Sequence, residues 1–177
     1  MNIEFLILFV DYFRTLKHRR DALADWLFPI LIGAWVFIKN IESNSLITHA
    51  KELCSSYLSL LGVLLGFSIA ITTLLISGTS KNLDEIKEKE TKILISGKPI
   101  SLFNLLLINY SYSVVVEAIL IIVNIIVPIF IDIHTSLSFI NIIISINTTL
   151  VSHILFLTIR NTTNFYFIIF KDIKDDN

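Results

Sequence analysis

Glu117 is the residue whose setting most demands a chemical explanation. It is the only carboxyl group in Phe103–Ile131, a run of twenty-nine residues without Lys, Arg or Asp. As a helix rising about 1.5 Å per residue the run spans about 43 Å. That is enough to cross a hydrocarbon core of about 30 Å, with Glu117 near its midplane. A carboxyl group there is costly, and it marks either an ion or proton pathway or a polar clasp between helices. The same run carries Tyr110 and Asn124, one heptad before and after Glu117, with Ser113 beside them. A later run carries Asn141, Ser145, Thr148 and Ser152 at i, i+4, i+7 and i+11, with His153 adjacent. Each set lines one helix face. Lipid offers such groups no partner, so they are expected to form an intramembrane polar seam.

If the two runs form a hairpin turning at His134, their relative depths follow. Val151 comes level with Glu117, and His153 lies about 3 Å from that level. Asn124 comes level with Ile144 and Ser145. Glu117 is therefore expected to be neutral, or paired with His153, Ser152 or a neighbouring chain.

Other chemistry finds little footing. Gly66-Phe67-Ser68 is half of a nucleophile motif and lacks the second glycine. The sequence has no HExxH, and His18, His49, His134 and His153 are scattered without metal-ligand spacing. Cys54 is the single cysteine, which excludes an intramolecular disulfide and a CxxC pair. The expectation is a non-enzymatic protein with no metal and no cofactor.

The elements that position these residues follow from composition. The chain has 177 residues, 54% of them hydrophobic and 16% charged, with a mean hydropathy of +0.77. Apolar runs of about 20 residues recur, which is the pattern of membrane spans. The reading is an all-α, polytopic membrane protein, one domain over residues 1–177. Four transmembrane helices are expected at about 22–38, 57–76, 103–131 and 137–157. Residues 2–20 read as an N-terminal interfacial helix. In the first span Pro29 should kink the helix and leave a carbonyl for another helix to satisfy. Trp26 and Trp35 suit the two interfaces, and Asp25 invites a local ion pair with Arg19 and Arg20. Lys39–Glu52 reads as a polar loop. Gly62 and Gly66 form a GxxxG step that favours close helix packing, within the chain or between chains. Residues 78–101 form a charged loop, with a short helix over Lys81–Lys92 supported by Glu85–Lys89 and Glu88–Lys92 pairs. Ser101 is placed to cap the helix that follows. Phe165–Phe170 is too short to span and reads as an interfacial anchor.

Twelve Lys and Arg residues fall on the side shared by the two termini and the central charged loop, and two, Lys39 and Lys51, on the other. By the positive-inside rule both termini face the cytoplasm. There Arg14, Lys17, Arg19, Arg20, Lys87, Lys89 and Lys92 would form a cytosolic docking surface for a protein partner. The net charge of −1 gives no reason to expect direct contact with nucleic acid.

Residues 60–90, LLGVLLGFSIAITTLLISGTSKNLDEIKEKE, pair a span with GF near its middle with a cytosolic helix rich in Asn and Lys. This stretch resembles small four-span proteins encoded among bacterial anti-phage genes. The membrane subunit of Kiwa systems and the four-span accessory of some Cas13b loci are examples. The resemblance implies a homo-oligomer in the bacterial inner membrane, a sensor or effector working with a cytosolic partner that itself binds nucleic acid. It carries no catalytic residues over to this chain. Apart from it, a small ion or proton channel or transporter with Glu117 as its titrating group accounts for the same residues.

Overall fold

The computed structural model describes residues 4–16, 22–41, 46–79, 81–95, 97–133 and 136–171. The docking candidates Lys17, Arg19 and Arg20, and the turn centre His134, lie outside the described residues. The elements are α1 (Glu4–Leu16), α2 (Ala22–Ile41), α3 (Leu46–Ser77), α4 (Lys81–Glu88), β1 (Glu90–Ile95), β2 (Lys98–Ser101), α5 (Leu102–Ile133) and α6 (Leu137–Lys171). Among the described residues three helices are long and apolar enough to cross a membrane, over Leu46–Ser77, Leu102–Ile131 and Leu137–Phe167. In hydrocarbon a helix is the form that satisfies every backbone group within one segment.

The helices form a bundle in which α3 runs along α5, α2 runs along α6, and α5 and α6 make an antiparallel pair. Three apolar clusters succeed one another along it. Leu83 and Ile86 of α4 close one end against Leu75, Leu106, Tyr110 and Phe165. In the middle Tyr12, Leu61, Tyr112, Val116, Leu120, Val151, Ile154 and Leu157 pack together. At the far end Leu46, Ala50 and Cys54 meet Val127, Ile131, Ile140 and Ile144. The outer surface is itself apolar. Val63, Ile122, Ile125, Ile129 and Ile146 point away from the bundle, as residues facing lipid do.

Several expectations are corrected. The loop expected over Lys39–Glu52 is mostly helix, since α2 runs to Ile41 and α3 begins at Leu46. Leu46, Ala50 and Cys54 recur at helical spacing and bury against α5 and α6, which draws the polar residues between them into α3. The segment Phe165–Phe170 is the end of α6 rather than a separate anchor. No Gly or Pro interrupts it, and Thr162 and Thr163 return their hydroxyls to the carbonyls of Thr158 and Ile159.

The charged loop holds a β-hairpin. The helix over Lys81–Lys92 stops at Glu88, and Lys89 and Lys92 lie beyond it, so the expected Glu85–Lys89 and Glu88–Lys92 pairs have no helix to hold them. Among the described residues α4 holds an ion pair between Lys87 and Asp84, at 2.8 Å. Burial alternates along β1, with Ile93 buried and Thr91 and Ile95 half-buried while Lys92 and Leu94 are exposed, as a strand requires. Gly97 turns the chain with φ 79°, in the left-handed region open to glycine. β1 and β2 pair antiparallel. Ser101 then caps α5, its Oγ accepting the Asn104 N–H at 3.2 Å.

α1 is not a helix lying clear of the bundle. Tyr12 and Thr15 are buried against it, and α1 also meets α5 and β1. Its opposite face, with Leu6, Ile7, Val10 and Phe13, is exposed and suits a membrane surface.

Candidate functional site

Glu117 is fully buried. Its partner is Ser68 of α3, whose hydroxyl donates to Glu117 Oε1 at 3.0 Å, rather than His153 or Ser152. The Thr158 hydroxyl lies next to the carboxyl group and falls short of hydrogen-bond geometry. Glu117 Oε2 takes no hydrogen bond from the described residues. The register of α5 against α6 differs by about three residues from the expected one. The Asn124 amide pairs with Asn147, each donating to the other's carbonyl oxygen at 3.3 Å and 2.8 Å. Asn124 is therefore level with Asn147 rather than with Ile144 and Ser145, which leaves His153 near the depth of Glu117; the two part by helix face, Glu117 turning to Ser68 of α3 and His153 to Asp25 of α2.

Pro29 explains where His153 went. A proline at 29 has no N–H for the carbonyl of residue 25. The His153 Nδ1–H of α6 supplies the missing bond, donating to the Asp25 carbonyl at 2.9 Å. That fixes the tautomer: Nε2 is left as the acceptor, and the Tyr112 hydroxyl donates to it at 3.4 Å. Trp26 stacks on the imidazole with centroids 4.0 Å apart, so it serves the core rather than an interface. Trp35 is exposed.

The Asp25 carboxylate pairs with Arg160 of α6; the expected partners Arg19 and Arg20 lie outside the described residues. Both side chains are largely buried, at 6% and 15% exposure. Tyr12 closes this cluster from α1. Its ring stacks on Tyr112 at 3.6 Å, and its hydroxyl lies beside Trp26 and Arg160. Burial, with Tyr112 adding to it, pushes the Tyr12 phenol well above the ordinary tyrosine range, so it stays protonated. One cluster thus joins α1, α2, α5 and α6 through Tyr12, Asp25, Trp26, Tyr112, His153 and Arg160.

The other seam residues divide between the two halves of the bundle. Thr148 returns its hydroxyl to the Ile144 carbonyl at 2.8 Å and meets the Tyr57 hydroxyl at 2.9 Å. The Asn141 amide donates to the Phe37 carbonyl of α2 at 3.0 Å. Ser145 is buried, and Ser152 is half-buried. Toward the α4 end, Ser113 donates to the Asn109 carbonyl at 3.1 Å, and Tyr110 is buried beside Thr162. Asn109, Thr158 and Asn161 are buried there with side-chain polar atoms that find no hydrogen bond among the described residues. Glu117 Oε2 is a further such atom, with Thr158 beside it.

Gly62 and Gly66 do not pack against another helix of the chain. Both are exposed, and a Cβ at either would meet nothing within 4 Å. The close helix approach lies at Gly33 of α2. A Cβ there would run into the Thr149 hydroxyl and stand 2.9 Å from the Ser145 carbonyl of α6. Among the docking candidates, Arg14, Lys87, Lys89 and Lys92 are exposed. Arg14 pairs with Asp11 at 3.4 Å, and Lys87 also lies over the Phe103 ring. No cluster of metal-ligating residues occurs among the described residues.

Sequence reasoning missed Ser68, Asn147, Tyr12, Tyr112 and the Asp25–Arg160 pair as members of the seam. The signal for Arg160 was present, since a lone arginine at the end of an apolar run needs a carboxylate. Pro29 pointed to the carbonyl of residue 25 by counting back four.

Comparison of the chain with protein families, with curated proteins and with solved structures finds no match.

Proposed function

We propose that this chain is a non-enzymatic, homo-oligomeric protein of the bacterial inner membrane. It crosses four times, α2 being the fourth span, with both termini in the cytoplasm. It works as a sensor or effector of anti-phage defence, through a cytosolic protein partner. The twelve-to-two distribution of Lys and Arg supports the orientation. The open Gly62–Gly66 face supports self-association, because small residues on a lipid-facing helix let a second helix approach closely. The resemblance over residues 60–90 supplies the setting.

One observation carries the reading. The charged cap of α4, β1 and β2 is built into the bundle. Leu83 and Ile86 pack among Leu75, Leu106, Tyr110 and Phe165, and β1 touches α1. A partner held by Lys87, Lys89 and Lys92 would therefore act directly on α3, α5 and α6. Charge reversal at these three lysines should remove the co-purifying partner while leaving the chain folded in the membrane. Retention of the partner refutes the docking role.

A second reading has its own observation. Glu117 Oε2, Asn109, Thr158 and Asn161 lack hydrogen bonds in a buried setting, each at a cost of about 1–3 kcal/mol. A bundle that hydrates this group on opening recovers that cost, and Glu117 is then the titrating group of an ion or proton path. Glu117→Gln should abolish flux through reconstituted protein while assembly survives. Unchanged flux refutes the path. A purely structural clasp predicts instead that Glu117→Gln is mild and Glu117→Leu disrupts assembly.

A further inference from the structure

A groove of about 510 Å³ opens on the outer surface between α3 and α6. Leu64 and Phe67 form one wall, and Leu155 to Phe167 the other. Both walls belong to helices long and apolar enough to cross a membrane, so hydrocarbon or protein fills the groove in the bilayer.

The wall chemistry suits hydrocarbon. Three threonines face the groove, yet none offers it a hydroxyl. Thr162 and Thr163 return theirs to the carbonyls of Thr158 and Ile159 at 2.7 Å and 2.9 Å. Thr158 is 5% exposed, and its hydroxyl lies on the Glu117 side. What they present is methyl groups. The length fits as well. The twelve residue steps from Leu155 to Phe167 rise about 18 Å, close to half of a hydrocarbon core of about 30 Å. At the outer end stands Tyr166, half-exposed, an amphipathic ring of the kind that sits at headgroup level. The volume lies in the range of about 300–1,000 Å³ that holds one small ligand.

We infer that this groove is a binding site for one acyl chain of a phospholipid, drawn from the leaflet that surrounds the C-terminal end of α6. The chain lies along α6 with its headgroup at Tyr166 and its methyl end near Leu155. It covers the thin wall at Thr158 that separates lipid from the Glu117 carboxyl group. The inference rests on the membrane reading above, and its test separates the two.

The full chain is reconstituted in nanodiscs of phosphatidylethanolamine and phosphatidylglycerol containing a trace of phospholipid with a diazirine in mid-chain. After illumination, adducts are mapped by peptide mass. Labelling of Phe67, Leu155 and Ile159 should exceed that of the exposed residues Val63 and Ile125 by about tenfold. Thr163→Trp, at an exposed position on the groove, should fill it and remove that excess, whereas Ile125→Trp should leave it. Even labelling over all exposed apolar residues overturns the acyl site and leaves the membrane reading standing. Groove labelling that appears only when oligomers are dissociated shows a second copy as the occupant and also overturns it. A chain recovered outside the bilayer and unlabelled overturns both.

Discussion

The Asp25–Arg160 pair offers the sharpest mutational test of the fold, because it joins residues 135 positions apart on α2 and α6. Both partners are largely buried, so removing one leaves the other charged and desolvated, which costs about 3–5 kcal/mol. Asp25→Ala isolates the carboxylate, since the bond from His153 goes to the Asp25 backbone carbonyl and survives the change. Asp25→Ala and Arg160→Met should each destabilise by about 3–5 kcal/mol, the latter also losing the contact with Tyr12. The double variant Asp25→Leu/Arg160→Met buries no lone charge. It should be more stable than either single variant, with a coupling energy of about 2–3 kcal/mol. The assay is reversible unfolding in mixed micelles followed by the fluorescence of Trp26, which is stacked on His153 at the centre of the same cluster. If Asp25→Ala costs less than about 1 kcal/mol, the figure for an exposed pair, or if the single effects simply add, the pair is not the buried tie between α2 and α6 and the argument fails.

Three further outcomes follow from the same geometry. His153→Leu should cost about 1–3 kcal/mol by leaving the Asp25 carbonyl without a donor, and Pro29→Ala, which restores the missing N–H, should recover part of that loss in the same unfolding assay. Gly33→Val should prevent stable folding because its side chain runs into Thr149 of α6, whereas Gly62→Val and Gly66→Val should keep the fold and weaken self-association in cross-linking. Tyr12 gives a pH dependence: its folded pKa lies above its unfolded value of 10.0, so its contribution is fully present below pH 10 and is lost as pH rises toward the folded value. Stability should fall by up to about 1.4 kcal/mol per pH unit over that range, and Tyr12→Phe should flatten the fall.

The sequence shows the apolar runs, the helical class and the polar faces, because these depend on local periodicity and on the need of backbone groups for partners in hydrocarbon. Ser101 as a cap and Pro29 as the source of a spare carbonyl were legible for the same reason. The depth matching was not. An error of one or two residues in where a turn is centred slides one helix past another by about three residues, and the face each polar group presents is set by the packing of α2 and α3, so Glu117 meets Ser68 and His153 meets Asp25. The hairpin at Glu90–Ser101 was hidden because its alternation is one of burial and not of residue type, Leu94 standing exposed between Ile93 and Ile95. Gly62 and Gly66 drew attention by their spacing, yet the close approach uses Gly33, which has no second glycine on its face and is recognised only once Ser145 and Thr149 stand opposite. Asp25 has a partner, Arg160, far along the chain, which no local spacing announces.

The central claim is that the chain is an oligomeric membrane protein coupled to a cytosolic partner through its charged cap. The most direct measurement is native mass analysis of the full chain, extracted from its own host in mild detergent. The account predicts a complex of several copies with a bound soluble protein, and loss of that protein alone when Lys87, Lys89 and Lys92 are reversed in charge. A lone monomer with nothing bound would contradict it.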